Sequence, residues 1–396
     1  MNDVIFNRGE GGLGRALAGE DHFSGLLSYL LTADKPTAFG TDKIKIVYSI
    51  EEVEALGISG LATKPEAVKS LHYQIKSIFE ANKQAVLYLG IFDRPTAGAT
   101  GTPAPDYSKI LDMQRFAEGK IRQIGVLDQE TTFATSVVTA LQTQADILEA
   151  EHKPLSVVYA GKMSTFAVLS NLPDLRTLGS KNVSVVIGQD GAGKGSQTNA
   201  SILGLTLGTL SLAKVNENIG WVARFNVAKN STNEFDVPAL TTDGILLKML
   251  SAGVVQSLSD KGYIFIKKHV GTGGTYFNDA PTATLVTSDY AFIENSRTID
   301  KAVRVCRKFL LPSLNAPLYV FDNGRLAEDT IASFRNDARR GLEGMQKDGE
   351  ISTFEVIIDP SQNVLGSSKI VLTLKIVPVG VARKIVVNIG FAVKIS

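Results

Sequence analysis

The feature that most constrains this chain is its last stretch, KIVVNIGFAVKI. There Ile385, Val387, Ile389, Phe391, Val393 and Ile395 alternate with Lys384, Asn388, Gly390 and Lys394. A repeat of two is the period of a β-strand with one apolar face, because successive side chains leave a strand on opposite sides. No turn and partner strand follow it. Its main-chain N–H and C=O groups need partners, so such a strand either pairs back into its own sheet or crosses into another molecule's.

The pattern ahead of it is equally regular. Thr298 to Leu311 reads as a helix with Ile299, Val303, Cys306 and Leu310 on one stripe, stopped by Pro312. PLYVF, Pro317 to Phe321, reads as a short strand left through an Asp322-Asn323-Gly324 turn. A second helix, Asp329 to Lys347, turns Ile331, Phe334, Ala338, Leu342 and Met345 inward. Its wet side carries Arg335, Arg339, Arg340 and Lys347 with Asp337 and Glu343 between them, and Gly349 is placed to cap it. Strands at Ser352 to Ile358 and Ile370 to Val377 precede the last one. The expected fold class is therefore α/β, multi-domain, with a two-layer α+β unit at the C-terminus.

The segment YAFIENSRTIDKAVRVCRKFLLPSLNAPLYVFDNGRL, the helix after it, GEISTFEVIID, and KIVLTLKIVPVGVARKIVVNIGF resemble the C-terminal domain of contractile tail sheath proteins. That family covers contractile phage tails, R-type pyocins and related injection machines. The resemblance implies a structural subunit, not an enzyme, that polymerises around an inner tube and contracts by rearrangement without a cofactor. It implies partners of the same kind, in stacked rings forming a helical sheath, together with a tail tube protein and baseplate and tail terminator proteins. It implies assembly in bacterial cytoplasm and residence in a virion tail or tail-like particle. Under it, the chain divides into an N-terminal arm (1–20), an α/β body (21–285), a sheath-core domain (286–380) and an arm strand (381–396). Val4, Ile5 and Phe6 with Ile385, Val387, Ile389, Phe391, Val393 and Ile395 would contact neighbouring subunits. Arg335, Arg339, Arg340 and Lys347 are the candidate surface toward the tube, with an ordinary solvated helix face as the plainer reading.

Charge narrows the partners. Lys and Arg number 41 against 40 Asp and Glu, so there is no footprint for nucleic acid or an anionic membrane. No stretch approaches the roughly 18 apolar residues that cross a bilayer, and MNDVIFNRGEGG lacks a signal-peptide pattern. After Asp359 the chain carries only Lys369, Lys375, Arg383, Lys384 and Lys394. These either keep an exposed edge strand from wrong pairing or dock on an acidic neighbour. The single cysteine, Cys306, excludes an internal disulfide and reads as a core residue. His22, His72, His152 and His269 have no metal-ligand spacing, and Asp289, Glu294 and Asp300 sit near a helix start, where carboxylates suit the dipole.

In the body, alternating elements predict a mostly parallel sheet covered on both faces. The expected order is a helix at Phe23 to Leu31, a strand at Ile44 to Tyr48, and a short helix capped by Ser49 with Glu52. A long helix from Pro65 to Asn82 and the strand AVLYLGIF follow, then helix, strand, helix and strand to Tyr159. Beyond these, Trp221 to Val227 and GYIFIKK read as strands and Leu240 to Leu258 as a helix.

Two glycine patterns invite a nucleotide. Gly9, Gly11 and Gly14 satisfy GxGxxG, yet at best five residues of strand precede them, and a flexible tether explains them better. Gly188, Gly193 and Lys194 fit the first seven positions of GxxxxGK[ST]. The hydroxyl that should follow at once is replaced by Gly195 and arrives late, at Ser196. A P-loop-like nucleotide-binding protein of prophage origin is the alternative reading. No nucleophile elbow or paired-carboxylate motif is present.

Overall fold

The computed structural model describes residues 20–96, 103–163, 169–190, 200–229, 238–240 and 245–391. The chain separates into two compact units, Met1–Asp300 and Lys301–Ser396.

The larger unit begins with β1 (Phe23–Leu30), β2 (Ile44–Val47), α1 (Ile50–Ala55), α2 (Glu66–Ala81), β3 (Val86–Asp93), α3 (Lys109–Phe116), β4 (Gln123–Thr132), α4 (Thr135–Ala150) and β5 (Ser156–Lys162). It continues with β6 (Val183–Val186), β7 (Gly188–Asp190), β8 (Ala200–Ser201), α5 (Leu203–Leu212), β9 (Pro238–Leu240), β10 (Ile245–Leu246), α6 (Ala252–Asp260), β11 (Tyr263–Ile264), β12 (Ile266–His269) and β13 (Thr272–Phe277). Seven strands form one sheet in the order β11-β6-β5-β4-β1-β3-β2, parallel except for β2 at one border. Leu26, Leu30, Leu87, Leu89, Leu203 and Leu207 fill one face, while Leu27, Ile124, Val126, Met113 and Leu141 fill the other. Crossover helices cover both sides of a parallel sheet, and so its strands read as continuous apolar runs.

That property corrects the helix expected at Phe23 to Leu31. The segment is β1, paired on both sides, with seven of its eight residues buried. Burial on both faces erases the alternation that would have marked it. Gly25 marks the close packing, because a Cβ there would stand 2.9 Å from Ile124 Cγ1. Two further expectations change. Trp221 to Val227 is a string of turns, in which the Trp221 carbonyl accepts from the N–H groups of both Arg224 and Phe225. Leu240 to Leu258 breaks into the end of β9, β10, a turn and α6, which Ser251 caps through Val254 N–H.

α5 is the most enclosed helix of this unit. Leu203 through Ser211 are all buried, so the helix shows no polar face. It packs on α2 through Gly204 and Gly208. A Cβ on Gly204 would collide with the Gln74 carbonyl, and one on Gly208 would come within 2.7 Å of the Ile78 carbonyl.

The division between units falls inside α7 (Ile293–Leu310). The C-terminal unit then has α8 (Glu328–Lys347), β14 (Ile351–Ile358), α9 (Val364–Ser367) and β15 (Leu372–Pro378). α8 buries Ile331, Ala338, Leu342 and Met345 as its period predicts. It ends as the glycine requires: Gly349 has φ 73° and donates to the Gln346 carbonyl, while Glu350 N–H reaches the Met345 carbonyl at 2.9 Å. These two bonds are the Schellman pattern. The stripe on α7 is displaced from the expected one. Ala302 and Cys306 are buried with Val305 and Leu310 beside them, and Val303 is exposed. A small alanine carries little weight in a periodicity reading, yet it lets α7 meet α8, where Gly341 lies against the Val305 backbone. PLYVF is not a strand. It forms one bridge, Val320 to Leu326, and leaves Tyr319 and Phe321 exposed.

Candidate assembly surfaces

β14 and β15 form a two-stranded antiparallel sheet, with Phe354 opposite Ile376, Val356 opposite Leu374 and Ile358 opposite Leu372. Phe354, Val356, Leu374 and Ile376 pack against the core of Ala302, Cys306, Leu342 and Met345. The other face holds Glu355 opposite Lys375, an exposed pair at 3.6 Å, and Thr353 opposite Val377. Among the described residues neither strand has a second neighbour, so each keeps an open border.

The described part of the terminal run fills neither border. From 379 to 391 the chain has no strand pairing, and its large side chains are in solvent: Ile385 is 81% exposed, Val387 77%, Ile389 95% and Phe391 111%. Val386, on the opposite parity, is exposed as well. The run therefore lacks the buried face its alternation demands. Val393 and Ile395 at one end, and Val4, Ile5 and Phe6 at the other, lie outside the described residues.

On α8, Arg335, Arg339, Arg340 and Lys347 are all exposed, as their spacing implies. They differ in their surroundings. Arg339 Nε donates to Glu343 at 3.2 Å, and the Arg340 guanidinium lies over the Phe309 ring at 5.8 Å. Arg335 and Arg339 line an open groove with Glu343, Gln346 and the Thr353–Val356 stretch of β14. Gln346 Nε2 already donates to the Ser352 carbonyl there, at 3.1 Å.

The glycine-rich segment that resembles a phosphate loop is built differently. β7 pairs antiparallel with β8, so Gly188 and Ala200 belong to two arms of a hairpin; residues 191–199 between them, Gly193 and Lys194 included, lie outside the described residues. A phosphate loop leads from a strand directly into a helix whose first amides meet the anion. Here a strand intervenes. The first amides of α5 are also occupied: Gly204 N–H donates to Gln74 Oε1 at 2.7 Å and Leu203 N–H to Ser201 Oγ at 3.3 Å. Gly188 itself is a packing glycine, since a Cβ would sit 3.0 Å from the Phe265 backbone.

Other groups singled out by sequence have structural partners. His72 Nε2 is 2.8 Å from Glu54, while burial lowers the pKa of His22 and of His269. Burial pushes the Cys306 thiol up to about 11, and its Sγ donates weakly to the Ala338 carbonyl. Asp289 and Asp300 lie outside the first turn of α7, whereas Glu294 lies within it and accepts from Asn218 Nδ2 at 2.9 Å. Among the described residues no group of three or more His, Cys, Asp or Glu could hold a metal, and no helix is long and apolar enough to cross a membrane.

Two buried polar clusters gave no sequence signal. At the carboxyl end of β4, Asp128 accepts from Tyr107 at 2.8 Å and Tyr159 at 3.4 Å. Desolvation holds both phenols protonated by raising their pKa, so they serve as donors. At the amino end of the sheet, Arg297 of α7 reaches carbonyls of three residues, Asp21, Ala213 and Lys214. Neither cluster has a spacing in the chain that could announce it, because each joins residues brought together only by the fold.

Residues 1–281 match the family model described as DUF2586, N-terminal domain, and residues 289–396 the one described as DUF2586, C-terminal domain. No curated protein matches. Among solved structures, the chain is similar to the helical sheath of the anti-feeding prophage in its contracted state, with TM-score 0.63, 14% identity and 98% of each chain covered. It is equally similar to a chain of the six-fold symmetrised baseplate of that particle, at TM-score 0.63 and 14% identity over 99% of this chain and 100% of the other. The sheath complex of an extracellular contractile injection system, PVC, in its contracted state gives TM-score 0.62 and 11% identity over 99% and 98%. At such identities the likeness is one of fold, and it extends along both units.

Proposed function

Because this chain belongs to the DUF2586 family and has the fold of contractile-sheath subunits, we infer that it is a structural subunit of a contractile sheath. Copies polymerise through their terminal arms around an inner tube and contract by rearrangement of the array. The observation that carries this reading is the exposed, alternating apolar run at Ile385 to Phe391 in a unit whose β14–β15 sheet has open borders. An arm strand from a neighbouring copy would complete that sheet, and the same copy's own arm would complete the next. Each crossing strand contributes several main-chain bonds of roughly 1 kcal/mol net. That is modest for one link, but repeated over an array it keeps subunits joined while their bodies move.

On this reading residues 1–20 are a second arm, 21–285 the body, 286–380 the sheath core and 381–396 the arm strand. Arg335, Arg339, Arg340 and Lys347 face the tube. Exposed ion pairs there are individually weak and so releasable. Arg335 and Lys347 carry this role most directly, since Arg339 and Arg340 already have partners on their own unit.

Negative-stain micrographs of the purified protein test the reading: hollow tubes, rings or ladders are expected, and a monodisperse monomer at high concentration refutes it. A variant with Arg335, Arg339 and Lys347 all changed to glutamine should form sheath without engaging tube. Normal tube engagement would remove these residues from that role.

A further inference from the structure

We propose that Arg297 ties the root of the N-terminal arm to α7, so that a pull on residues 1–19 is carried into the helix within which the two units divide. The proposal rests on the reading of residues 1–20 as an arm that joins neighbouring subunits.

The root is held from two sides. On the β4 side, the Glu20 carboxylate pairs with Arg122, a buried guanidinium whose Nη1 also donates to the Gly119 carbonyl at 2.6 Å. Arg122 N–H bonds the Phe23 carbonyl at 3.0 Å, and Gln123 Nε2 donates to the Asp21 carbonyl at 3.3 Å and to Ser24 Oγ at 2.8 Å. From the α7 side, Arg297 Nη2 donates to the same Asp21 carbonyl at 3.3 Å and to that of Ala213 at 3.2 Å, while Nη1 reaches that of Lys214 at 3.4 Å. One guanidinium therefore grips the arm root, the end of α5 and, through its own backbone, α7.

Arg297 is 3% exposed, and seating a charge so deeply is costly unless its donors are met. An apolar side chain would hold α7 on the sheet at less cost. What only the planar fork supplies is several donors aimed at once at segments far apart in sequence. Its position past the end of α5 adds to this, because the last carbonyls of a helix favour a cation. Beside it, Ser296 Oγ donates to the Lys181 carbonyl at 3.3 Å. This half of α7 is seated by Arg297 and Ser296 together with the buried Ile293, whereas the other half is seated by Ala302, Val305, Cys306 and Leu310. Polar seating of this kind has direction. Hydrogen bonds are directional, so they resist a pull along their own axes.

The full chain held by optical tweezers distinguishes this from a role in folding alone. In wild type pulled between residues 2 and 396, the first opening should release α7 together with the arm root; a first step confined to the residues ahead of Phe23 overturns the proposal. The variant Arg297→Lys keeps the charge but loses the fork. At fixed load its first opening should be about tenfold faster than wild type when pulled from residue 2, and unchanged when pulled from residue 40, beyond the root. Equal acceleration in both geometries, or in neither, overturns it. The wild-type measurement stands if the variant fails to fold. Because single molecules are used, absence of polymers in micrographs sinks the sheath reading without deciding this one.

Discussion

In the seven-stranded sheet, β1, β3, β4 and β5 each have a strand on both sides and apolar side chains buried on both faces; among the described residues β14 and β15 have one neighbour each and one covered face. Both sheets are made of similar residues. The difference lies in what completes them: α2, α3, α4 and α5 close the first from within the chain, while the second has open borders and an unpaired apolar run, Ile385 to Phe391, belonging to the same unit. A sheet closed by its own chain specifies a body. On the sheath reading proposed above, one left open specifies a connection.

The strongest way to break this contrast is to remove the run. Deleting residues 384–396 should abolish every polymer while shifting the melting temperature by no more than about a degree, since exposed side chains contribute little to the isolated fold. Sedimentation and calorimetry read the two effects, and polymers that survive would erase the distinction. Next is the closed body itself. Gly204→Val forces a side chain into the Gln74 backbone and should cost about 3 kcal/mol in urea unfolding, with exchange protection lost across the larger unit. A neutral result would mean that α5 and α2 have more room than their packing implies.

Leu342→Ala sharpens the comparison from the other side. Leu342 is fully buried in the small core of the C-terminal unit, and its truncation should cost about 2–3 kcal/mol. Hydrogen exchange should rise at β14 and α8 and stay flat in β1, β3 and β4; a uniform rise would show that the two regions unfold as one. The smallest effect lies at the rim of the large sheet. Lys35 at 2.6 Å and Lys43 at 2.8 Å hold the Asp93 carboxyl below the usual carboxylate range. A carboxylate with a lowered pKa in the folded state stabilises above its unfolded value and loses that contribution as pH falls. Asp93→Asn should therefore be less stable than wild type at pH 7, by at most about 0.5 kcal/mol for so exposed a pair, and the two melting curves should converge in acid. A gap that widens as pH falls would contradict the assignment.

What the sequence made legible follows from where each signal lives. The period of α8, its capping glycine and the alternation of the last run are local, and so they read directly from Ile331, Gly349 and Ile385. β1 was hidden because burial on both faces removes alternation, and FSGLLSYL is too short for length to arbitrate. The glycines at 188 and 204 announce close backbone packing as readily as a bound phosphate, and only the pairing of β7 with β8 separates the two. Arg297 and Asp128 were beyond reach altogether, since their partners stand far away along the chain.

The borders of the large sheet are β2, four residues that include Lys45 and follow directly on Lys43, and β11, two residues long. In a polymer chemist's terms these flanks have little functionality: a ledge so short gives an incoming chain almost nothing to bond to. If copies join as proposed, growth is then restricted to the terminal arms. On that reading, a subunit that joins only through its arms adds no links along the flanks of its large sheet, however crowded the solution becomes.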